Sequence, residues 1–539
     1  MYNRKNNIKS LLPVLGAGDK VKLLLSAVFI SAVFIPLIRM FAHMDVESIR
    51  KVSHSPVFGE ALRNSLTVAV LGTLITLVLA FVLAFVTQRI NIKGRYIWIA
   101  VFSLPMLIPS ISIGMGLVIL LGNNGILTNL FGLSGNIYGL QGIIAGSLLY
   151  AFPVAYLMIA DVLNYEDGSA YEAALVLGIP KWRQFLTISL PYLKKPIIST
   201  AFSVFSLIVT DYGVPLMVGG KFKTIATVMY QEVIGQLDFG KGAVYGSFLL
   251  MPAIAAFLID FINKDKGNTS FVTRKVAMSD SSSAKCISYL ICGMVSVITL
   301  LPIISFVLLA FASDYPRSFA FTLSNVSKTF ALKAGRYLAN SILIAACTAS
   351  IGVCIGFVTA YLSARMKSTV SRFLHLAAMT SAAIPGVVLG LSYVLTFTGT
   401  PIYGTIVIMI MVNTIHFITS PYLMMYNSLS KINENLEGVA HTMGIGRRFL
   451  IRDVFLPQCR TTLFEMFSYF FVNCMMTISA VSFLATTANK PVSLMINQFE
   501  AQMQLEYAAV VALMILLVNL TVKLVCQLVS RRRKGLLQL

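Results

Sequence analysis

The chain has 539 residues, of which 57% are apolar or aromatic and only 12% charged, about half the charged share of a soluble domain. Lys and Arg outnumber Asp and Glu by 42 to 21, a formal net charge of +21. Such a chain could not cover its surface with polar groups in water, which excludes a soluble enzyme, a disordered protein and a disulfide scaffold; its basic residues lie between apolar segments, where they act as topology signals and not as a nucleic-acid patch.

A helix needs roughly 20 apolar residues to cross the hydrocarbon core. Twelve stretches qualify: 21–43, 64–88, 96–121, 139–162, 195–219 and 243–263, then 286–311, 338–362, 372–397, 402–427, 461–485 and 505–529. None has the period-two alternation of an outer-membrane barrel. The first is too long for the apolar core of a signal peptide and lacks a small-residue cleavage site, so it reads as a retained span. Twelve crossings place both termini on one side. If that side is the cytoplasm, 30 of the 42 basic residues lie inside, and the positive-inside bias puts both termini there. The RRRK run at 531–534 then reads as a topology anchor. All seven cysteines fall after residue 285 with no CxxC pair, so they read as small buried hydrophobes and support neither a metal site nor disulfides.

The chain is written twice. Asn64-Ser65, Pro109 and Gly114 match Asn340-Ser341, Pro385 and Gly390 at an offset of 276. After the third span the offset falls to about 265, and Tyr138-Gly139, Leu157-Met158 and Ala243-Val244 match Tyr403-Gly404, Leu423-Met424 and Ala509-Val510. The shift fits a longer outer loop, 122–138, in the first half. The matched prolines read as kinks in the third spans. Six spans in the same order and orientation form a parallel repeat, which implies a pseudo-two-fold axis along the membrane normal. The expected organisation is an all-α polytopic membrane protein: 1–263 and 286–539 as six-helix halves, joined by the polar, basic, Ser-rich cytoplasmic linker 264–285.

The longest inner loops carry the most information. In YEAALVLGIPKWRQFLTISLP (171–191) a short helix bears Glu172, Ala173 and Ala174; Gly178 suits the left-handed residue that ends it, Pro180 the start of the next helix, and Pro191 its stop. Small side chains permit close approach by another surface, and flanking charges can set its register. The second half repeats this elbow at 437–457, where Gly178 maps to Gly444, Pro191 to Pro457 and Ala174 to Ala440. A lone loop could equally lie on lipid headgroups; a doubled one at the same place in both halves favours docking on a partner protein.

E-A-A-x-x-x-G followed by L-P resembles the signature loop of permease subunits of binding-protein-dependent ABC importers, and the six-span layout of each half extends the resemblance over nearly the whole chain. In that family the loop forms a coupling helix seated in a cytoplasmic ATPase. The first copy matches at Glu172, Ala173, Ala174, Gly178 and Pro191. In the second, Gly438 and Val439 hold the Glu and first Ala positions, and the nearest acid, Glu437, lies one residue earlier, about 100° around the helix. Two unequal couplings are therefore expected.

No GxxxxGK[ST] loop, no histidine pair at ligand spacing and no activated nucleophile is present. The chain is thus not expected to be an enzyme. The resemblance implies that ATP and Mg act on two copies of a separate cytoplasmic ATPase, and that an extracytoplasmic binding protein delivers the solute at the bacterial inner membrane. Ionisable residues within spans are candidate pathway residues: Asp211 beside Tyr212 in the fifth span, and Glu465 in the eleventh, with Thr477 and Ser199 at the equivalent positions. A twelve-span ion-coupled secondary transporter is the rival class, but it leaves the doubled elbow unexplained. Fused two-half permeases resemble those for ferric iron, 2-aminoethylphosphonate and thiamine, with polyamines a further alternative; segment 478–500 looks closest to the iron and phosphonate group, and ferric iron is the expected substrate.

Overall fold

The computed structural model describes residues 17–132, 137–263 and 276–531. The N-terminal tail, residues 133–136 of the outer loop, most of the linker (264–275) and most of the RRRK run lie outside the described residues. Among those described, nine helices are long and apolar enough to cross a membrane, and two bent helix pairs bring the number to eleven if each pair is one span. The expected span at 461–485 is a helix only over Arg460–Met476 and gives way to turns from Thr477. One element is not helical: Ala312–Asp314 and Ser318–Phe321 form a small antiparallel hairpin.

The helix of the third span is interrupted in each half, where the sequence suggests a kink. Helix Arg95–Phe102 leads to a tight turn at Leu104–Leu107, and a new helix, Ser110–Leu121, starts after Pro109. The second half repeats this with Thr369–Met379, Thr380–Ala383 and Gly386–Phe397 after Pro385, the two arms meeting at 100°. A proline disfavours helical backbone in the residue before it, and Ile108 and Ile384 are both extended, at ψ 147° and 119°. Gly386–Phe397 has 12 residues, about 18 Å, too short to span the hydrocarbon core alone, whereas the run that starts at Ser110 continues to Phe131 and is long and apolar enough to cross.

The matched glycines now have a reason. A Cβ on Gly114 would lie 2.7 Å from Met217 Cβ, and one on Gly390 would lie 2.5 Å from the Ala480 carbonyl oxygen. Each half-length helix is thereby pressed against the segment that follows the fifth span of its own half.

The halves are not simply side by side. The first helix, Ala17–Ala42, packs on Thr369–Met379 and Gly386–Phe397 of the second half, whereas Ser282–Ala310 packs on Ser110–Leu121 of the first. Tyr393 Oη donates 2.9 Å to the Ala32 carbonyl, and the buried Lys22 ammonium is held by Asp19, the Met366 carbonyl and Ser368. Each half is thus braced by the other's leading helix. Large apolar side chains such as Leu74, Val78 and Leu290 point outward, where lipid is the solvent.

Candidate functional site

The two elbows share one backbone. In the first, helix Ser169–Val176 ends at Gly178, φ 69°, with Ile179 N donating 2.9 Å to the Ala174 carbonyl. In the second, Leu436–Thr442 ends at Gly444, also φ 69°, with Ile445 N donating 2.8 Å to Ala440. Ala174 and Ala440 are buried at the base, while Glu172, Ala173, Gly178, Gly444, Pro191 and Pro457 are exposed. Leu175, Val176, Leu177 and Trp182 stand out at the first elbow, and Val439, Met443, Ile445 and Phe449 at the second. These are apolar knobs around a small-residue notch, the surface a protein groove would take.

Pro191 does not stop its helix, and Pro457 lies within Leu456–Gln458, which yields at Cys459 to the helix Arg460–Met476. A helix interior rejects proline because its ring meets the carbonyl four residues back. Here the backbone widens by one residue just before each proline, over Phe185–Ser189 and Ile451–Phe455. Leu190 and Leu456 accordingly donate five residues back, to Phe185 and Ile451. In the first half the run is therefore one span of 30 residues, Lys181–Thr210, about 45 Å long, leading from the elbow to Asp211.

An arginine at the end of each second span grips the elbow, a device outside the loop motif although its 276-residue repeat is legible: Arg89 and Arg365. Arg365 is 3% exposed and holds Glu437 in a fork at 2.7 and 2.5 Å, while donating to the carbonyls of Ile432 (2.7 Å) and Asn433 (2.8 Å). Glu437 is thus committed within the chain. Arg89 pairs instead with Glu166, which also accepts 2.7 Å from Tyr171 Oη; the guanidinium lies 5.7 Å from the Tyr171 ring. Tyr171 stands at the position equivalent to Glu437, so the same clamp is built from different residues in the two halves.

Between the halves lies a cavity of about 400 Å³, lined by Tyr150, Asp211, Tyr212, Asp260, His416 and Tyr469 among others. Asp211 and Tyr212 are therefore brought to one chamber; Glu465 is exposed on its helix and does not line it. Asp211 accepts 2.7 Å from Ser110 Oγ and 3.0 Å from the Val214 amide, which caps helix Gly213–Val218. Asp260, His416 and Tyr469 were not singled out from the sequence. His416 Nδ1 is buried without a hydrogen-bond partner, and its repeat equivalent is Tyr150 at an offset of 266.

Away from the elbows a second chamber of about 730 Å³ opens between the halves, lined by Tyr230, Ser482, Lys490, Asn497 and Glu500 among others. The two chambers meet at a tyrosine barrier. The Tyr212 and Tyr230 rings stack at 4.7 Å, Tyr212 Oη is 2.7 Å from Ser482 Oγ, and Asn497 Nδ2 donates 2.8 Å to Tyr230 Oη. The rings come from the first half and their hydrogen-bond partners from the second.

The chain matches the profile of the binding-protein-dependent transport system inner membrane component twice, over residues 77–264 and 352–535. It belongs to that family. FbpB 1 of Haemophilus influenzae is 26% identical over 78% of this chain and 70% of its own length. The ferric transport system permease protein FbpB of Actinobacillus pleuropneumoniae is 25% identical over 87% and 72%. The molybdate/tungstate transport system permease protein WtpB of Pyrococcus abyssi is 30% identical but covers 44% of this chain and 91% of itself. The protein is thus a fused, two-half permease of a type I ABC importer and a multi-pass membrane protein.

For this permease the barrier gives a direct expectation. In a background lacking exposed cysteines, Ser203→Cys in the first chamber should react with an impermeant maleimide from the elbow side only. Adding Tyr212→Ala should raise labelling from the opposite side about tenfold, as removal of a buried aromatic leaves a passage. Unchanged sidedness would show that the barrier lies elsewhere.

Proposed function

We propose that this permease moves ferric iron into the cytoplasm, receiving it from an extracytoplasmic binding protein and driven by two copies of an ATPase seated on the elbows. In this reading twelve spans form two halves about a pseudo-two-fold axis, with both termini cytoplasmic, and ATP and Mg act on the ATPase alone. The observation that carries it is the pair of apolar elbows with left-handed glycines at equivalent positions. The relatives aligned across both halves support iron over 2-aminoethylphosphonate, since FbpB is named a ferric permease.

The chain's own residues supply the coupling. The helix that begins at the first elbow runs without a break to Thr210, beside Asp211 and the Tyr212 barrier. Movement of the elbow by a closing ATPase pair is carried along that rod to the floor of the chamber. Arg89 and Arg365 tie each elbow to a second span, so the displacement moves two helices in each half. Asp211, Asp260 and three tyrosines offer oxygen atoms along the chamber, the donors a hard cation prefers.

A tagged pull-down from native membranes in mild detergent, with protein and ligand mass spectrometry, tests this. Two ATPase copies per permease and an iron-loaded binding protein are expected. A permease recovered alone and transport-competent without ATP would overturn the reading, and a binding protein carrying an oxyanion would overturn the substrate.

A further inference from the structure

The chamber on the side away from the elbows has charge chemistry of its own. Its charged lining residues are Lys490 and Glu500, and the two are placed differently. Lys490 is committed: its ammonium donates to Gln498 Oε1 and lies 5.7 Å from the Tyr337 ring, a cation–π contact. Glu500 is not. It sits near the end of helix Ser493–Ala501, and among the described residues its carboxylate takes part in no hydrogen bond or ion pair. Burial alone pushes its pKa up, the sign of a partly desolvated acid with no compensating partner. The carboxylate is half-buried and lines the chamber.

Its neighbours indicate a use. Tyr230 lines the same chamber. A carboxylate and a phenol lining one chamber are hard oxygen donors, matched to a small, highly charged cation and mismatched to an oxyanion. The described residues hold no group of three His, Cys, Asp or Glu able to cage a metal. That suits transit, which needs binding strong enough for entry and weak enough for release. Tyr230 is also half of the stacked barrier, and beyond Tyr212 the next carboxylate is Asp211.

We propose that this chamber is the receiving site for a hard, oxygen-seeking metal cation, with Glu500 as its charged ligand and Tyr230 as the adjoining donor that couples occupancy to the barrier. This rests on the reading of the cargo as ferric iron and names the group that first takes it.

Terbium(III) serves as a redox-inert trivalent probe, because its emission is sensitised by a nearby phenol. The permease–ATPase complex in nanodiscs, titrated with terbium, should show tyrosine-sensitised emission. Glu500→Gln should weaken the titration about tenfold or more, the effect of losing one charged ligand. Lys490→Gln should leave it within about twofold. Gallium(III) should displace the signal and molybdate should not. Glu500→Gln removes a half-buried charge that no partner neutralises, so its melting temperature should not fall, a readout that separates ligand loss from damage. Should that variant fail to assemble, Glu500→Asp keeps the charge on a shorter arm and should bind at intermediate strength. A terbium titration indifferent to Glu500, or displacement by molybdate that depends on Lys490, overturns the proposal. The pull-down judges the cargo separately: iron on the binding protein together with an indifferent Glu500 would leave the importer reading standing and refute this site.

Discussion

Gly178→Trp is expected to abolish capture of the ATPase at the first elbow while leaving the permease folded. Gly178 holds φ 69°, and a Cβ built on it meets nothing within 4 Å. A larger side chain therefore does not clash within the permease; it projects from the exposed turn between the apolar knobs Leu177 and Trp182. Two effects combine, and a control separates them. Left-handed backbone costs any L-residue about 1–2 kcal/mol, and Gly178→Ala carries this strain with almost no bulk. The indole adds a steric block at the centre of a docking surface, where losses of about 3 kcal/mol, over a hundredfold in affinity, are ordinary. Co-purification of ATPase should therefore survive Gly178→Ala in reduced amount and fail for Gly178→Trp, with Gly444→Trp acting alike at the other elbow. ATPase retained at wild-type stoichiometry by the tryptophan variants would mean that the elbows are not the docking surface.

Arg365→Ala should uncouple hydrolysis from transport. The guanidinium is 3% exposed, forks onto Glu437 and donates to backbone carbonyls at the start of the elbow. Breaking a buried pair by removing one partner costs about 3–5 kcal/mol; because Glu437 is 28% exposed, the lower part of that range applies. This is enough to release the elbow from its second span without unfolding the packed membrane helices. The ATPase keeps its apolar contacts and still docks, but its motion reaches one helix fewer, so transport per ATP should fall about tenfold or more. Arg365→Lys should not rescue, since an ammonium cannot make the planar fork. Arg89→Ala should act in the same direction through Glu166 and Tyr171. A transport-to-hydrolysis ratio unchanged by Arg365→Ala would remove the clamp from the mechanism.

The membrane class, the duplication and the elbows were legible in the linear chain because each is a local pattern. Apolar length marks spans, a repeated offset pairs Gly178 with Gly444, and a glycine four residues past a small-residue notch marks a left-handed turn wherever it sits. The same locality explains the misreadings. Pro191 reads as a stop because the cost of proline is fixed in a regular helix, but a one-residue widening of the preceding turn relieves the clash, and nothing in the local sequence announces it. Pro109 and Pro385 read as kinks because the depth of a bend depends on what supports the free backbone ends; here short helices pack against segments 213–218 and 478–484 through Gly114 and Gly390.

What only the tertiary structure decided concerns pairs of residues far apart in the chain. Arg365 and Glu437 are separated by 72 positions, and Tyr212 and Ser482 by 270. Such contacts follow from how whole helices cross, including the exchange of leading helices between halves. They determined that Glu437 is held inward, that Glu465 lies off the first chamber, and that His416, Asp260 and Glu500 line chambers. A charge or ring in an apolar span has several possible partners in sequence; burial, distance and the absence of a competing bond select among them, and those quantities exist only once the helices have packed.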